Sequence, residues 1–389
     1  MKPEPVKLKP KITIADHFAV IEDPRIDRTK RHKLIDIITI AICAVICGAD
    51  GWVAIETYGC AKYEWLKTFL ELPNGIPSHD TFARVFAQIN PQQFQSCFLD
   101  WMKSIQKITS GEVVAIDGKT LRGSYDKSND QSAIQMVSAW ATTNKLVLGQ
   151  VKVDEKSNEI TAIPELLKVL ELSGCLVTIY AIGCQKEIVK IITQQNGDYV
   201  ITLKKNQGHL YDEVEKLFQS GISTGFQGIQ HSTYKTEEFG HGRHEIRHYL
   251  MLSDIQSRLD PDSAWSKLKS VGMVESVRSL DGKTTVETRY FISSLEENAE
   301  KFANSVRSHW GIENSLHWKL DVALREDDCR IRKDHAPENF AVLRQIAVNI
   351  LGKEKRVKLG IKNKQFLAAM DDKYLARVLE LASNSMSTL

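Results

Sequence analysis

The chain has 389 residues, of which 42% are apolar, 26% charged and 8% aromatic, values typical of a soluble globular protein with two or three domains. Its formal net charge is only +2, so no global field indicates a nucleic-acid partner, and any DNA-binding surface must be local. The seven cysteines are odd in number, scattered and without a C-x-x-C pair, which disfavours zinc and disulfide frameworks and indicates a reducing cytoplasm.

Residues 1–12 are rich in Pro and Lys and are expected to be loose. Helical patterns run through residues 13–108, so we expect the N-terminal domain, 1–108, to be all-helical beyond these first residues and to be associated with DNA binding. The longest apolar run covers residues 34–49. It contains Asp36 and is too short for a membrane span, so it predicts a buried helix, and we expect no membrane partner. Residues 1–11 lack an apolar core, so no signal peptide is predicted.

A basic cluster over residues 25–33 immediately precedes the apolar run. Its cations either form a solvated entry to the helix or contact DNA phosphates, and the sequence does not separate these two interpretations. The candidates for phosphate contact are Arg28, Lys30 and Arg31.

The pattern changes at residue 112, because Val113 to Ile116 are apolar and partly β-branched, as in a buried strand. Asp117 follows directly. An acid at the end of a buried strand is costly unless its charge is used, and the usual partners are a metal ion or a substrate at the open edge of an α/β sheet. The alternative is an ordinary turn, since Asp117 and Gly118 form a common turn pair.

The following segments alternate between strand and helix patterns. Their order is three strands, helix, strand, helix, strand, with a hairpin between the second and third strands. This is the strand order of the RNase H fold, a meander followed by two right-handed crossovers, so the sequence predicts an α/β core of that type. The segments are 112–117, 134–142, 146–153, 159–172, 175–182, 186–195 and 198–204.

Residues 206–285 break that rhythm and predict an inserted, β-rich subdomain with hairpins around 239–244 and 280–283. Arg243 and Arg247 are interleaved here with aromatic residues. Such cations suit a phosphate-facing ribbon, and an ordinary exposed β surface explains them equally well.

A further polar pattern follows the insertion, where His309, Glu313 and His317 recur at spacings of four residues beside an apolar stripe. This pattern predicts a helix that buries one flank and points the other into a site. A surface salt-bridge stripe is the alternative, but Trp310 and Trp318 on the same helix argue against full exposure. The compact H-E-x-x-H zinc motif is absent.

Taken together, the patterns divide the chain into four parts. A helical N-terminal domain precedes an RNase H-like core, which is interrupted by the β-rich insertion and followed by a helical tail that is basic at its start. The predicted boundaries are 1–108 for the N-terminal domain, 109–205 and 286–350 for the core, 206–285 for the insertion and 351–389 for the tail.

A core of this type suggests a use for the acids. In an RNase H-like sheet, two aspartates on adjacent strands and a helix-borne carboxylate hold two divalent ions for in-line phosphoryl transfer. Hard oxygen ligands select Mg²⁺ or Mn²⁺. Asp117 fits the first position and Glu313 the third, whereas the end of the strand 175–182 offers Tyr180 at the second.

Seven long segments, in a fixed order, carry a resemblance to one known family. They read RHKLIDIITIAICAVICGADGW, LPNGIPSHDTFARVF, AIDGKTLRGS, KSNEITAIPELL, YVITLKKNQ, FGHGRHEIR and HWGIENSLHWKLDVALREDD. Over nearly its full length the chain resembles insertion-sequence transposases of the H-repeat-associated (ISAs-type) family, within the DDE superfamily.

The resemblance implies an RNase H-like core with a β insertion before the catalytic Glu. It also implies strand cleavage and strand transfer at terminal inverted repeats, dependent on Mg²⁺ or Mn²⁺ at a two-metal site. The implied partner is double-stranded DNA, as the inverted repeats and as the target, bound by a homodimer in the bacterial cytoplasm.

Carried over by position, Asp117 and Glu313 are the metal-binding catalytic acids. His309 stands where related transposases carry an arginine four residues before that Glu. The DNA-binding candidates are Lys119, Arg122, Lys204, Lys205, Arg28, Lys30, Arg31, Arg243 and Arg247.

Tyr180 departs from the family pattern, which reads T-I-D-A-x-G where this chain reads TIYAIG. A phenol is a poor magnesium ligand, since its pKa lies near 10. Asp198 begins the next strand and is expected at the opposite edge of the sheet, and Glu187 could approach only with distortion. We therefore expect an incomplete two-metal site and impaired activity.

Three functions are compatible with these observations. The first is a DNA transposase of this family, active or defective. The second is a catalytically inactive, domesticated DNA-binding protein that still recognises repeat ends. The third is a metal-dependent nuclease without transposition. Tyr180 favours the second over the first.

Overall fold

A computed structural model describes residues 13–105, 110–125, 132–154, 157–240 and 242–382. Over these residues the chain is a mixed α/β protein in which helices surround one nine-stranded mixed sheet. Residues 1–12 of the predicted N-terminal domain and 383–389 of the predicted tail lie outside the described residues. None of the described helices combines the length and apolarity needed to cross a membrane.

The described N-terminal region is helical. Its helices are α1 (Thr13–Phe18), α2 (Leu34–Ile46), α3 (Trp52–Ala61), α4 (Tyr63–Leu66), α5 (His79–Gln88) and α6 (Pro91–Ile105). The apolar run forms α2, which is buried on almost its whole circumference, so the prediction of a buried helix is confirmed. Asp36 is tolerated inside because it accepts the backbone N–H of Leu72 at 3.0 Å.

The next part of the chain builds the sheet. Its strands are β1 (Val113–Thr120), β2 (Gln135–Ala141), β3 (Leu146–Lys152), β4 (Leu176–Ile179), β5 (Asp198–Leu203), β6 (His231–Gly240), β7 (Arg243–Leu252), β8 (Ser270–Leu280) and β9 (Lys283–Ser293). The intervening helices are α7 (Glu159–Val169), α8 (Lys186–Gln194), α9 (Gly208–Thr224) and α10 (Gln256–Leu259). The predicted order of three strands, helix, strand, helix, strand is confirmed from β1 to β5.

The register of the parallel pair β1 and β4 positions the site. Four residue pairs join these strands, and the last is Ile116 with Ile179. Asp117 and Tyr180 each follow that pair directly, so they occupy neighbouring positions at the carboxyl ends of the two strands. Asp198 pairs with Leu176 at the other end of β4, as predicted.

One detail of the prediction for β1 was wrong. The strand does not end at Asp117 but continues to Thr120. The reason is the antiparallel partner β2, which pairs with β1 as far as Thr120 and Gln135. Asp117 is therefore a strand residue that pairs with β2 but not with β4, and it is not the first residue of a turn.

The sheet extends without a break into the segment 206–285. In the order β3-β2-β1-β4-β5-β9-β8-β7-β6, strand β9 pairs antiparallel with β5 and the last four strands form a meander. The predicted hairpins are confirmed by the pairs Gly240 with Arg243 and Leu280 with Lys283. The segment also contains α9, whose Phe218 stacks on Tyr290 of β9.

The C-terminal part returns to the site and then to the helical region. Helix α11 (Ala299–His309) packs on the sheet and leads into a π-helical segment (Ile312–His317) and α12 (Trp318–Val322). Helix α13 (Ala336–Lys353) is buried over most of its length and packs against α2 and β3. Two helices, α14 (Ile361–Met370) and α15 (Asp372–Glu380), follow.

Close approach of α11 to the sheet leads to a stability prediction. A Cβ built on Gly272 of β8 would lie 2.5 Å from the Phe302 ring of α11. Because Phe302 is fully buried, we expect Gly272→Ala to lower the free energy of unfolding by about 1–3 kcal/mol. Urea unfolding followed by circular dichroism measures this.

The matched control is Gly208→Ala in the first turn of α9, where an added Cβ meets nothing within 4 Å. It should leave stability unchanged or raise it slightly, since alanine restricts the unfolded chain. If the two substitutions changed the free energy of unfolding equally, the described packing of α11 against β8 would be contradicted.

Candidate active site at the carboxyl ends of two parallel strands

Asp117 is a largely buried carboxyl group, with a side chain only 16% exposed. Its Oδ1 accepts the backbone N–H of Gly118 at 2.9 Å. Burial raises the pKa of Asp117 to about 7; the Gly118 hydrogen bond opposes this, and the charges of Glu313 and Glu159 add to it. The carboxyl is therefore only partly ionised near pH 7, whereas an ordinary aspartate is fully ionised there.

Glu159 is a third acid near Asp117, and sequence reasoning missed it. It lies in the first turn of α7, and a Cβ on Gly118 would overlap its carboxylate. Gln135 Nε2 donates to Glu159 Oε1 at 2.5 Å, and burial raises the pKa of Glu159 against that hydrogen bond. A signal did exist, because a glycine directly after the strand acid leaves room for a neighbouring side chain.

Tyr180 is hydrogen-bonded to Glu313. The phenol Oη donates to Glu313 Oε1 at 2.5 Å, a charge-assisted hydrogen bond. Burial raises the pKa of Tyr180, and the hydrogen bond to Glu313 and the charges of Glu313 and Asp117 raise it further. The phenol is consequently a fixed proton donor to Glu313.

His309 is a buried, neutral positioning group behind Tyr180. Its Nδ1 lies 2.9 Å from Thr178 Oγ1, and its ring meets the Tyr180 ring edge-to-face at a centroid distance of 4.2 Å. Burial lowers the pKa of His309 to about 4, although Thr178 opposes this. An uncharged imidazole that packs against Tyr180 fixes the direction in which the phenol points.

The helix that carries Glu313 is not a regular α-helix, a feature that helical periodicity does not predict. The π-helical segment Ile312–His317 widens the turn between α11 and α12. The predicted row of three polar groups is consequently divided among different partners. His309 faces Thr178, Glu313 faces Tyr180, and His317 Nδ1 lies 3.8 Å from Asp117 Oδ2.

His317 is also held in its neutral form. Burial lowers its pKa to about 4, the charge of Lys119 lowers it further, and the charge of Glu313 opposes both. At neutral pH His317 therefore supplies no positive charge to Asp117.

Lys119 is enclosed by carboxylates, contrary to its predicted role as a DNA contact. Its Nζ lies 2.7 Å from Asp321, 3.0 Å from Glu326 and 2.9 Å from Asp327. The side chain is only 11% exposed, so the amine does not face solvent. Burial alone would lower the pKa of Lys119, but the three acids raise it above its ordinary value.

Arg247 is likewise internal, with a side chain only 2% exposed. Its guanidinium lies 5.2 Å from the centroid of the Trp310 ring and 3.2 Å from Glu238. Arg307 and Arg289 pack against the same indole at 5.6 and 5.7 Å. Arg247 thus supports the turn that precedes the π-helical segment and does not present its charge for DNA contact.

The other DNA-binding candidates lie at the surface. Lys204 lines an open cleft of about 390 Å³ together with Tyr180, Arg289, Glu313 and Trp310. Arg122 is 80% exposed and lies 3.4 Å from Asp327. The remaining exposed candidates are Lys205, Arg243, Arg28, Lys30 and Arg31, of which Lys30 pairs with Asp27 and Arg243 with Glu245.

The side chains present do not fit a two-metal centre. Among the described residues, no group of three or more His, Cys, Asp and Glu side chains is arranged to hold a metal ion. One oxygen of Glu313 is occupied by the Tyr180 phenol, and one oxygen of Asp117 by the Gly118 amide. Since Mg²⁺ requires about six oxygen ligands in near-octahedral geometry, this donor set is deficient.

Two models of known protein families match this chain. A family model described as "Transposase DDE domain" matches residues 108–350, and one described as "DDE_Tnp_1-associated" matches residues 15–102.

Similar proteins have been described in bacteria. "H repeat-associated putative transposase YhhI" of Escherichia coli (strain K12) is 44% identical over 370 residues, which cover 94% of this chain and 97% of that protein. "Putative transposase YncI" of Escherichia coli O157:H7 is 41% identical over 374 residues, covering 95% of both.

One similar solved structure is titled "Cryo-EM structure of piggyBac transposase synaptic complex with hairpin DNA (SNHP)". It aligns with a TM-score of 0.43 and 13% identity, over 95% of this chain and 77% of that chain. This likeness is too low to support an argument about the present chain.

The buried Asp117 leads to a prediction about pH. Its pKa is about 7 in the folded chain against a reference of 3.8, so the folded state binds more protons between those values and loses stability as pH rises through them. Asp117→Asn removes this loss. As pH rises from 4 to 8, the free energy of unfolding of the variant should therefore increase by about 2–4 kcal/mol relative to that of the parent. Urea unfolding at each pH measures this difference.

Asp80→Asn, which removes a carboxylate 81% exposed on α5, serves as the reference for loss of a surface charge. If the stabilities of the parent and Asp117→Asn stay parallel over this pH range, the described burial of Asp117 is contradicted.

Proposed function

Because the chain belongs to the family of insertion-sequence transposases with a DDE domain, we propose that it is a DNA-binding transposase whose strand cleavage is impaired by Tyr180. The observation that carries this proposal is the 2.5 Å hydrogen bond from Tyr180 to Glu313, at the position beside Asp117. The phenol stands where a second carboxylate would complete the acidic site.

The strand order supports an RNase H-like core within this proposal. Strands β3-β2-β1-β4-β5 form a meander joined to two parallel strands through α7 and α8. We assign the core to 109–205 and 286–350, the insertion to 206–285, the N-terminal domain to 1–108 and the tail to 351–389.

The proposed impairment follows from charge. Family members of this kind use divalent metal ions, Mg²⁺ or Mn²⁺, for phosphoryl transfer, and the present donor set lacks one carboxylate. Tyr180 instead keeps its proton and directs it at Glu313, while the raised pKa of Asp117, about 7, leaves that carboxyl only partly ionised at neutral pH. Loss of one central electrostatic group costs about 2.7–4 kcal/mol, roughly 100- to 1000-fold in rate.

The same hydrogen bond favours a second candidate, a catalytically inactive, domesticated DNA-binding protein. The two candidates differ in whether the rest of the catalytic machinery is intact. Recovery of cleavage on restoring a carboxylate supports a defective transposase. Specific repeat binding without recovery supports the domesticated protein, and cleavage without preference for repeat ends supports a nuclease.

The partner in this proposal is double-stranded DNA, as terminal inverted repeats and as target, bound by a homodimer in the bacterial cytoplasm. Phosphate contacts are assigned to exposed cations around the cleft, with Lys204 inside it and Lys205 beside it. Further contacts are assigned to Arg122, Arg243, Arg28, Lys30 and Arg31. Lys119 and Arg247 are left out because both are enclosed by other side chains.

Restoring the carboxylate tests the proposal. We expect the parent chain to cleave inverted-repeat DNA weakly or not at all with Mn²⁺, and Tyr180→Asp to cleave at least about 100-fold faster. A gel assay on end-labelled duplex measures both rates, and calorimetric titration with Mn²⁺ should show tighter binding by the variant.

Tyr180→Phe is the matched control, because it removes the phenol hydrogen bond without adding a carboxylate. It should not gain activity. Robust cleavage by the parent, with no gain from Tyr180→Asp, would show that the second acid lies elsewhere.

The cations of the cleft give a separate prediction. Lys204→Glu combined with Lys205→Glu should weaken duplex binding and reduce the slope of log K against log salt by about 2, since each lost phosphate contact contributes about 0.9. Fluorescence anisotropy across a salt series measures both quantities.

Lys168→Glu combined with Lys190→Glu changes net charge equally on α7 and α8, where both lysines are exposed. It should alter the slope much less. An unchanged slope in the Lys204 and Lys205 variant would exclude the cleft from the DNA path.

A further inference from the structure

The start of the C-terminal tail is strongly basic. Residues 353–364 contain six Lys or Arg residues and a single acid, Glu354. Glu354 is only 1% exposed and faces inward, where its Oε1 accepts the backbone N–H of Arg356 at 2.6 Å. The acid therefore does not neutralise the outer surface of this segment.

The outward cations of the segment have no acidic partner among the described residues. Lys355, Arg356 and Lys358 are exposed, and within the part of the chain that the structure describes none of their side chains pairs with a carboxylate. They differ in this from paired surface lysines such as Lys168, which lies 2.8 Å from Glu165.

Two further lysines from distant parts of the chain join the segment. Lys319 of α12 lies with its Nζ 5.4 Å from the centroid of the buried Trp140 ring. Lys145 lies in the turn between β2 and β3, and its carbonyl oxygen would be 3.8 Å from a Cβ on Gly352. Burial lowers the pKa of Lys319, and the charges of Lys145, Lys355 and Lys364 lower it further.

The segment is held in place by a buried lysine. Lys364 of α14 is only 6% exposed, and its Nζ donates to the carbonyls of Leu351, at 3.0 Å, and Glu354. These are carbonyls near the end of α13, where a cation is favoured by the helix dipole. The neighbouring exposed cations are thus presented on a fixed backbone.

Like charges gathered in this way repel each other and are costly unless an anion offsets them. An ordinary solvated surface explains the exposed lysines. It does not explain why Lys319 is half-buried among other lysines when, within the described ranges, no carboxylate lies beside it. A repeating anion such as a phosphate backbone satisfies several such cations at once.

We propose that Lys145, Lys319, Lys355, Arg356 and Lys358, here called the tail patch, bind the phosphate backbone of duplex DNA that continues outward from the candidate active site. This rests on the proposed function. Lys319 follows Glu313 by six residues on nearly continuous helix, about 9 Å at 1.5 Å per residue. Three steps of duplex DNA span about 10 Å at 3.4 Å per step, so one duplex reaches both places.

The test compares full-length variants on two 40-base-pair duplexes, one with the element's inverted repeat and one of unrelated sequence. Lys355→Gln, Arg356→Gln and Lys358→Gln are combined. The slope of log K against log salt should fall by about 2–3 on both duplexes, and affinity at 0.1 M salt by at least about tenfold. Equal loss on both sequences is expected because phosphate contacts carry no sequence information.

The matched control combines Lys168→Gln, Lys190→Gln and Lys216→Gln, three exposed lysines on α7, α8 and α9. It removes the same charge and should leave the slope nearly unchanged. Lys319→Arg should retain binding and Lys319→Gln should weaken it. Melting temperatures of all variants are measured, so that lost binding is not confused with lost folding.

Several outcomes overturn the proposal. An unchanged slope in the tail-patch variant, while the parent still binds repeat DNA specifically, overturns the patch and leaves the proposed function standing. Absence of duplex binding by the parent overturns both.

A further arm of the test measures binding to vesicles with anionic lipid, because Phe366 and Met370 of α14 are exposed nearby. Tighter parent binding to vesicles than to duplex at equal salt would overturn the DNA assignment.

Discussion

The geometry of the candidate site depends on the ion cluster around Lys119. This lysine lies two residues after Asp117 on β1, and its amine contacts Asp321, Glu326 and Asp327, which follow the π-helical segment that carries Glu313. The buried Lys119 thus connects β1, which carries Asp117, to the part of the chain that directly follows Glu313. A buried cation is tolerated only when it is paired, so the three carboxylates must stay close to it.

Several acids also lie close together at the candidate site itself. The charges of Glu159 and Glu313 both disfavour the ionised form of Asp117, and His309 and His317 are kept neutral by burial. The chain reduces this repulsion with protons, one on Asp117 and one that the Tyr180 phenol directs at Glu313. A metal centre would reduce it with cations, so the phenol and a metal ion are alternative solutions to one electrostatic problem.

Much of the arrangement followed from local sequence patterns. The apolar strand before Asp117, the buried run of α2 and the turn residues of both hairpins are short-range signals, and each was confirmed. The surroundings of Lys119 and Arg247 could not be read in this way, because their partners lie far away in the chain. A cation that is exposed in its own strand pattern becomes internal only when a distant helix covers it.

The π-helical segment and Glu159 show a second limit. A π turn arises when packing on both sides of a helix fixes the chain one residue out of step, and helical periodicity alone carries no such information. Glu159 approaches the site through the packing of α7 on the sheet, over the glycine that follows Asp117. Both features belong to tertiary contacts, whereas the sequence patterns describe single elements.

The continuity of the sheet has a consequence for biosynthesis. Strand β5 pairs with β4 on one side and with β9 on the other, and its contact between Leu203 and Tyr290 joins residues about 90 positions apart. At a synthesis rate of roughly 5–20 residues per second, the free edge of β5 waits about 5–20 s for its second partner to leave the ribosome. During that interval half of the sheet ends in an apolar edge open to other chains. The nascent protein is therefore most exposed to aggregation, and most dependent on chaperones, while the segment between β5 and β9 is being made.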